Sequence, residues 1–218
     1  MTVADEPVPD RTGEPVRSLE VERTYDVDAS TALPDWHDIP GVAEVMPEEI
    51  RELDARYLDT EELHLAHAGY ALRRRTGGHD AGWHIKGPLI DGARVETAWP
   101  LGIDPDEDVP DAVRAEIHKV TDSALHPLAR VENSRVPTAL RAADGGLIAE
   151  FVDDHVRGSD LRGDTVREWR EWEVELGPAA PADPAEREEL FAAIESAIIA
   201  AGGRPAGPSS KLGRTLGR

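Results

Sequence analysis

The feature that most constrains this chain is a pair of matched acidic alternations, Glu20-Val21-Glu22 inside LEVERTYDV and Glu173-Val174-Glu175 inside EWREWEVEL. In a strand, residues two apart point to the same side, so each pair sets two carboxylates on one face about 6.5 Å apart. Bulky residues take the other face: Leu19, Val21 and Tyr25 in the first segment, Trp172, Val174 and Leu176 in the second. If helices cover that apolar side, the carboxylates look inward. Such an interior is costly unless cations neutralise it. The middle of the chain, with its ALRRRTGG segment, supplies arginines.

The formal net charge of −20 argues against nucleic acid or an anionic membrane surface as a partner, because both would be repelled. An anion site on this chain must therefore be local. Without cysteine there is neither a disulfide framework nor a thiolate metal site. No apolar run approaches the length of a membrane span and the N-terminal region holds no signal-peptide core, so a soluble cytoplasmic protein is expected. Of the 24 basic residues, Lys86, Lys119 and Lys211 are the only lysines.

Residues 1–16, rich in Pro, Asp and Glu without periodicity, read as a disordered leader. Residues 17–27 alternate as a strand and residues 50–58 are extended. Thr60 is placed to cap a short helix closed by Gly69. Residues 70–76, 83–90 and 93–101 read as a meander, with GGHDAG and Asp91-Gly92 as its turns. Pro110 starts a helix running to about Ser123. Residues 128–141 and 147–156 form a hairpin about the DGG turn, and residues 169–176 form a further strand. Asp183-Pro184 opens an amphipathic helix closed by Gly202 and Gly203, and a short tail follows.

About eight hairpin-connected strands predict a mainly β (α+β) fold, an eight-stranded antiparallel β-barrel with helices packed outside, whose interior holds side chains or one small ligand. Arg73 and Arg75 share one face of their strand, Lys86 is in phase with His84, Arg94 with Glu96, and Glu150 with Asp154. Acidic and basic rows thus come from different strands, together with Arg135. Guanidinium groups hold phosphate bidentately and clustered carboxylates hold Mg²⁺ or Mn²⁺, so the two rows describe a metal–polyphosphate site. The bland alternative is an internal salt-bridge lattice in which the same arginines merely pair with the same glutamates. The tryptophans at 83, 99, 169 and 172 read as wall packing. Among the histidines, only His84 is phased to point inward.

LEVERTY, ARYLDTEELHLAHAGYALRRRTGG, GWHIKGP, LIAEFVDDHV, EWEVEL and PSSKLGRTL, in that order and spacing, resemble the CYTH domain of the triphosphate tunnel metalloenzymes over residues 17–217. Each piece alone is weakly specific; six in order are strong. The resemblance implies an eight-stranded antiparallel tunnel that binds a triphosphate with divalent metal. Known members include inorganic triphosphatases, thiamine triphosphatases and class IV adenylate cyclases.

Carried over by position, the resemblance implies Glu20, Glu22, Asp154, Glu173 and Glu175 as ligands of Mg²⁺ or Mn²⁺, with Glu150 at a neighbouring acidic position. It implies Arg73, Arg75, Lys86, Arg94, Arg135 and Lys211 as phosphate-binding groups, and Glu22 as the first candidate for a catalytic role with metal-activated water. The implied reaction is attack of water on a terminal phosphate, most simply of inorganic tripolyphosphate, with a triphosphate-containing small molecule as partner. One departure stands out: where the family's E-x-E-x-K motif has lysine, this chain has Thr24, which brings no charge. A catalytically silent polyphosphate- or nucleotide-binding module is therefore the alternative. Many relatives carry a histidine-rich CHAD domain after this one, so a separately supplied protein partner stays open.

Overall fold

The computed structural model describes residues 14–90, 93–102 and 108–218. Period-2 alternation carries most of these residues into strands: β1 (Val16–Glu20), β2 (Glu22–Asp26), β3 (Glu44–Pro47), β4 (Arg51–Asp59), β5 (Ala71–Thr76), β6 (Gly82–Ile90), β7 (Ala93–Pro100), β8 (His126–Arg141), β9 (Leu147–Asp160), β10 (Thr165–Leu176) and β11 (Arg204–Pro205). The helices are α1 (His64–His67), α2 (Asp111–Ile117), α3 (Pro184–Ala201) and α4 (Lys211–Thr215). The strands form one antiparallel sheet in the order β1-β7-β6-β5-β4-β8-β9-β10-β2-β11, with β3 added on β8.

The expectation of an eight-stranded barrel is corrected here: the described residues form an 11-stranded sheet whose ladder does not close. The strand expected over residues 17–27 divides at Val21. Its first half pairs with β7 and its second with β10, so β1 at one end of the strand order and β2, next to last at the other, are joined by one residue of chain rather than by a ladder. That division puts Glu20 opposite Arg94 and Glu22 opposite Glu175.

Three apolar clusters fix which face of the sheet is the outside. Tyr25, Phe151, Trp172 and Val174 pack against Leu190, Phe191, Ile194 and Ile198 of α3. Burying four such helix side chains contributes roughly 6–12 kcal/mol before entropy is counted. Asp183 caps α3 by accepting from the Ala185 and Glu186 amides, Pro184 follows, and Gly202 at φ 105° ends the helix as predicted. Leu72, Trp83, Ile85 and Trp99 pack against Val113 and Ile117 of α2. Because side chains alternate, Arg73, Arg75, Lys86, Arg135 and Glu173 are directed to the opposite side. The third cluster joins Ala55, Tyr57 and Val131 to Leu212 of α4 and to Leu216 just after it.

Several local expectations change. α2 ends at Ile117 rather than near Ser123. α1 is one turn, and its exposed amides are served by Asp59, whose carboxylate accepts from Leu65 and Ala66. Thr60 accepts from His64. Leu19 is 65% exposed, so helices do not cover the far end of the first acidic strand. The tail after α3 contains α4, which lies against the inner side of the sheet rather than outside it: Gly158 of β9 has so little room that an added Cβ would stand 2.2 Å from Thr215 Oγ1. The expected leader lies largely outside the described residues, and Val16 already belongs to β1. The hairpin expected at Asp91-Gly92 also lies outside them.

The turn between β5 and β6 depends on Gly77, which has φ +77° and whose added Cβ would lie 1.8 Å from the Glu52 carbonyl oxygen. Gly77→Ala is expected to lower stability by roughly 2–5 kcal/mol, the sum of a left-handed backbone cost and a steric clash. Chemical denaturation of the two proteins measures it, and a change below about 1 kcal/mol would contradict the turn geometry.

Candidate functional site

The inward face encloses a cavity of about 130 Å³. Glu20, Glu22, Thr24, Arg73, Arg75, Lys86, Arg94, Arg135, Glu173, Glu175 and Lys211 all line it. Ten positions singled out for chemistry, together with Thr24, are thus brought to one wall from seven strands and a helix. Asp154 is the exception: it lies fully buried behind the lining, where it binds Arg135 and Lys211.

Two ion-pair groups organise the wall. In the first, Lys86 Nζ lies 2.7 Å from Glu20 Oε2 and 3.3 Å from Glu96 Oε2, while Arg73 Nη2 is 3.8 Å from Glu96 Oε1. In the second, Arg135 donates from Nε to Asp154 Oδ1 at 2.9 Å and from Nη2 to Asp154 Oδ2 and Glu173 Oε2, both at 2.8 Å. Lys211 Nζ stands 2.9 Å from Asp154 Oδ2, 2.7 Å from Glu171 Oε1 and 2.5 Å from Glu173 Oε1. On the same wall Arg75 pairs with Asp80, and Arg51 binds Glu150.

Burial and these charges set the protonation of the acids. Burial pushes the Glu20 carboxyl up to about 7, against the pull of Lys86. Glu22 goes the other way: Lys86, then Lys211, Arg135 and Arg94, hold it below the usual carboxylate range despite burial. Two glutamates either side of the break at Val21 therefore differ, Glu22 being kept anionic while Glu20 keeps a proton more readily. Burial alone would lower Lys86, yet Glu22, Glu96 and Glu20 hold it above the usual lysine range. Burial likewise opposes Asp154, but Arg135 and Lys211 keep it ionised.

Sequence reasoning did not single out Glu171, Glu96 or Asp80 for the site. Glu171 is two residues before Glu173 and so shares its face, a signal that was available. Glu96 was visible in phase with Arg94. Asp80 sits in a turn, where no periodicity operates. Among the described residues, the acidic group close enough to share one cation is Asp154, Glu171 and Glu173, with oxygens within 4.8 Å of one another. Of the five carboxylates expected as metal ligands, Asp154 and Glu173 belong to this cluster, while Glu20, Glu22 and Glu175 line the cavity outside it. Its all-oxygen donors fit a hard divalent cation. The Lys211 ammonium touches the same three residues, so a metal there and Lys211 as placed compete for the same oxygens.

The family model for the CYTH domain matches residues 18–201. The chain belongs to the CYTH domain family. Two uncharacterized proteins from two strains of Mycobacterium tuberculosis are 37% identical over 213 residues, covering 93% of this chain. The chain spans 41% of the length of those curated relatives.

Solved structures share the CYTH fold at low identity. A Bacillus halodurans protein, a candidate adenylate cyclase, aligns at TM-score 0.58 and 19% identity, covering 91% of this chain and 97% of that one. A candidate adenylyl cyclase from Hippeastrum, described as revealing a dominant triphosphatase activity, aligns at TM-score 0.53 and 17% identity, covering 91% of this chain and 95% of that one. The acidic cluster of Asp154, Glu171 and Glu173 could hold a metal ion. Among the described residues no helix is long and apolar enough to cross a membrane.

Proposed function

We propose that the cavity hydrolyses a triphosphate with the help of Mg²⁺ or Mn²⁺, and that its substrate is inorganic tripolyphosphate. The observation that carries this reading is the convergence of six cationic side chains and six glutamates on one wall. Arg73, Arg75, Arg94 and Arg135 offer planar N–H pairs to phosphoryl oxygens, while Lys86 and Lys211 add point charges. Ground-state repulsion among phosphates is offset by that row, and charge developing on the leaving phosphate is stabilised by the same groups. Glu22, held anionic, is the carboxylate assigned to orient attacking water and accept its proton.

Asp154, Glu171 and Glu173 would hold a cation, with Glu20, Glu22 and Glu175 facing the same space. When bound, a divalent cation would neutralise phosphoryl charge and lower the pKa of water. A cytoplasmic setting is part of this proposal. The second reading, a silent triphosphate-binding module, is favoured by Thr24, which lines the cavity opposite Glu173 without a charge.

Phosphate release from tripolyphosphate with Mg²⁺ or Mn²⁺, repeated with chelator, separates the two readings. Release that chelation abolishes is expected, with Thr24→Lys raising the rate by about tenfold. Binding without release from the wild type, and release gained by Thr24→Lys, would mean a silent module. Neither binding nor release would leave only the salt-bridge lattice.

A further inference from the structure

His84 plays no part in the scheme above, yet it is 1% exposed and stands between the two wall features that control Arg75 and Lys86. Its Nδ1 faces Glu96 Oε1 and its Nε2 lies 2.9 Å from the Asp80 backbone oxygen. Both partners are acceptors. A neutral imidazole has one N–H, so one of these contacts would then set a lone pair against an oxygen; an imidazolium satisfies both.

The surroundings pull the ring in both directions. Facing His84 are Glu96 from β7, Arg73 and Arg75 from β5, Lys86 on its own strand beyond Glu96, Asp80 from the turn, and Glu20 of β1 beyond Lys86. Glu96 is the anion shared by His84, Lys86 and Arg73. Burial, with Arg73 and Arg75 behind it, pulls the ring toward neutrality, its pKa drawn down to about 4 against the Glu96 hydrogen bond. A neutral ring, however, sets a nitrogen lone pair against an acceptor oxygen at hydrogen-bond distance, and it is this two-acceptor geometry that argues for the cation. The Asp80 carbonyl is a second acceptor that favours the charged ring.

We propose that His84 is a positioning residue of the triphosphate site, a doubly protonated imidazolium that ties Glu96 to the Asp80 backbone. One end of the tie sets the anion beneath Lys86 and Arg73. The other end sets the turn from which the Asp80 carboxylate reaches Arg75, and therefore how readily a phosphate replaces that carboxylate on the arginine. Loss of the ring proton frees one end of the tie. This role rests on the triphosphate reading; the protonation state does not.

Two measurements on the full chain test it. Nitrogen–proton correlation spectra of the imidazole rings at roughly pH 7 read His84 directly, its signals identified by their loss in His84→Gln. Two protonated ring nitrogens are expected, and a single-N–H tautomer overturns the proposal. Calorimetric binding of tripolyphosphate is then compared between roughly pH 6.5 and roughly pH 9 for wild type and His84→Gln, with circular dichroism to confirm that the variant folds.

Glu20 and the ligand titrate in both proteins, so the difference between them isolates His84. The wild type is expected to lose about tenfold more affinity than the variant across that range, equivalent to about 1.4 kcal/mol. Parallel pH profiles overturn the positioning role. No binding by the wild type at any pH sinks the triphosphate reading and the positioning role with it, and the spectra still report the charge state.

Discussion

Arg135→Met is expected to lower stability by about 3–5 kcal/mol, the range found when one partner of a buried ion pair is removed. For a chain of this length that corresponds to a melting midpoint roughly 6–20 °C lower. The reason is Asp154, whose side chain is 0% exposed and takes two hydrogen bonds from this guanidinium. Methionine keeps much of the side-chain length but leaves Asp154 with the Lys211 ammonium as its cationic contact and removes a donor from Glu173. The double variant Arg135→Met/Asp154→Leu should recover a large part of the loss, because removing both charges also removes the cost of burying them. Thermal melts of the three proteins decide the matter. A single-variant loss below about 1 kcal/mol would mean that the pair is solvated and that the wall is not the charged interior described here.

Glu22→Ala is expected to reduce metal-dependent phosphate release about 10²–10³-fold while leaving the fold intact. Glu22 lines the cavity, and the field of Lys86, Lys211, Arg135 and Arg94 that holds it ionised is the field a triphosphate would meet. Alanine therefore removes the candidate base. It also frees positive charge, so tripolyphosphate binding in the absence of metal should strengthen even as turnover falls. That opposite movement is the signature to look for. Steady-state release and metal-free calorimetry measured on one preparation give both numbers, and release within threefold of wild type would remove Glu22 from the reaction.

Much of this was legible in the chain because alternation is a local property. The pairs Glu20/Glu22 and Glu173/Glu175, and the row Arg73/Arg75, reached one cavity for the reason that made them noticeable: a period of two fixes which side of a strand a residue faces. The cap and closing glycine of α3 were legible for a similar reason, since Asp183, Pro184 and Gly202 act within a few residues of themselves. Asp80 was not legible as a lining residue because it sits in a turn; Asn133 shares its face with Arg135, two residues on, but a neutral amide gave the charge rows no reason to include it.

Strand number failed for a different reason. β3 and β11 are held by pairing with β8 and β2 rather than by any alternation of their own, and the break at Val21 follows from which strands lie on either side. α4 is five residues long, too short for a periodic signal, and its place depends on distant groups: Lys211 on three acids, Arg167 on the Thr215 carbonyl, Leu212 and Leu216 on the inner apolar cluster.

By itself, then, the sequence determined the charge rows, their common face and the family, since each is written in spacing along one segment. Only the tertiary structure decided that Lys211 sits on the best carboxylate cluster, that Asp154 lies behind the wall instead of on it, and that Glu20 and Glu22 titrate in opposite directions. Those outcomes turn on distances of a few ångströms between residues far apart in the chain, where Coulomb energy and desolvation change steeply and spacing along a strand carries no information.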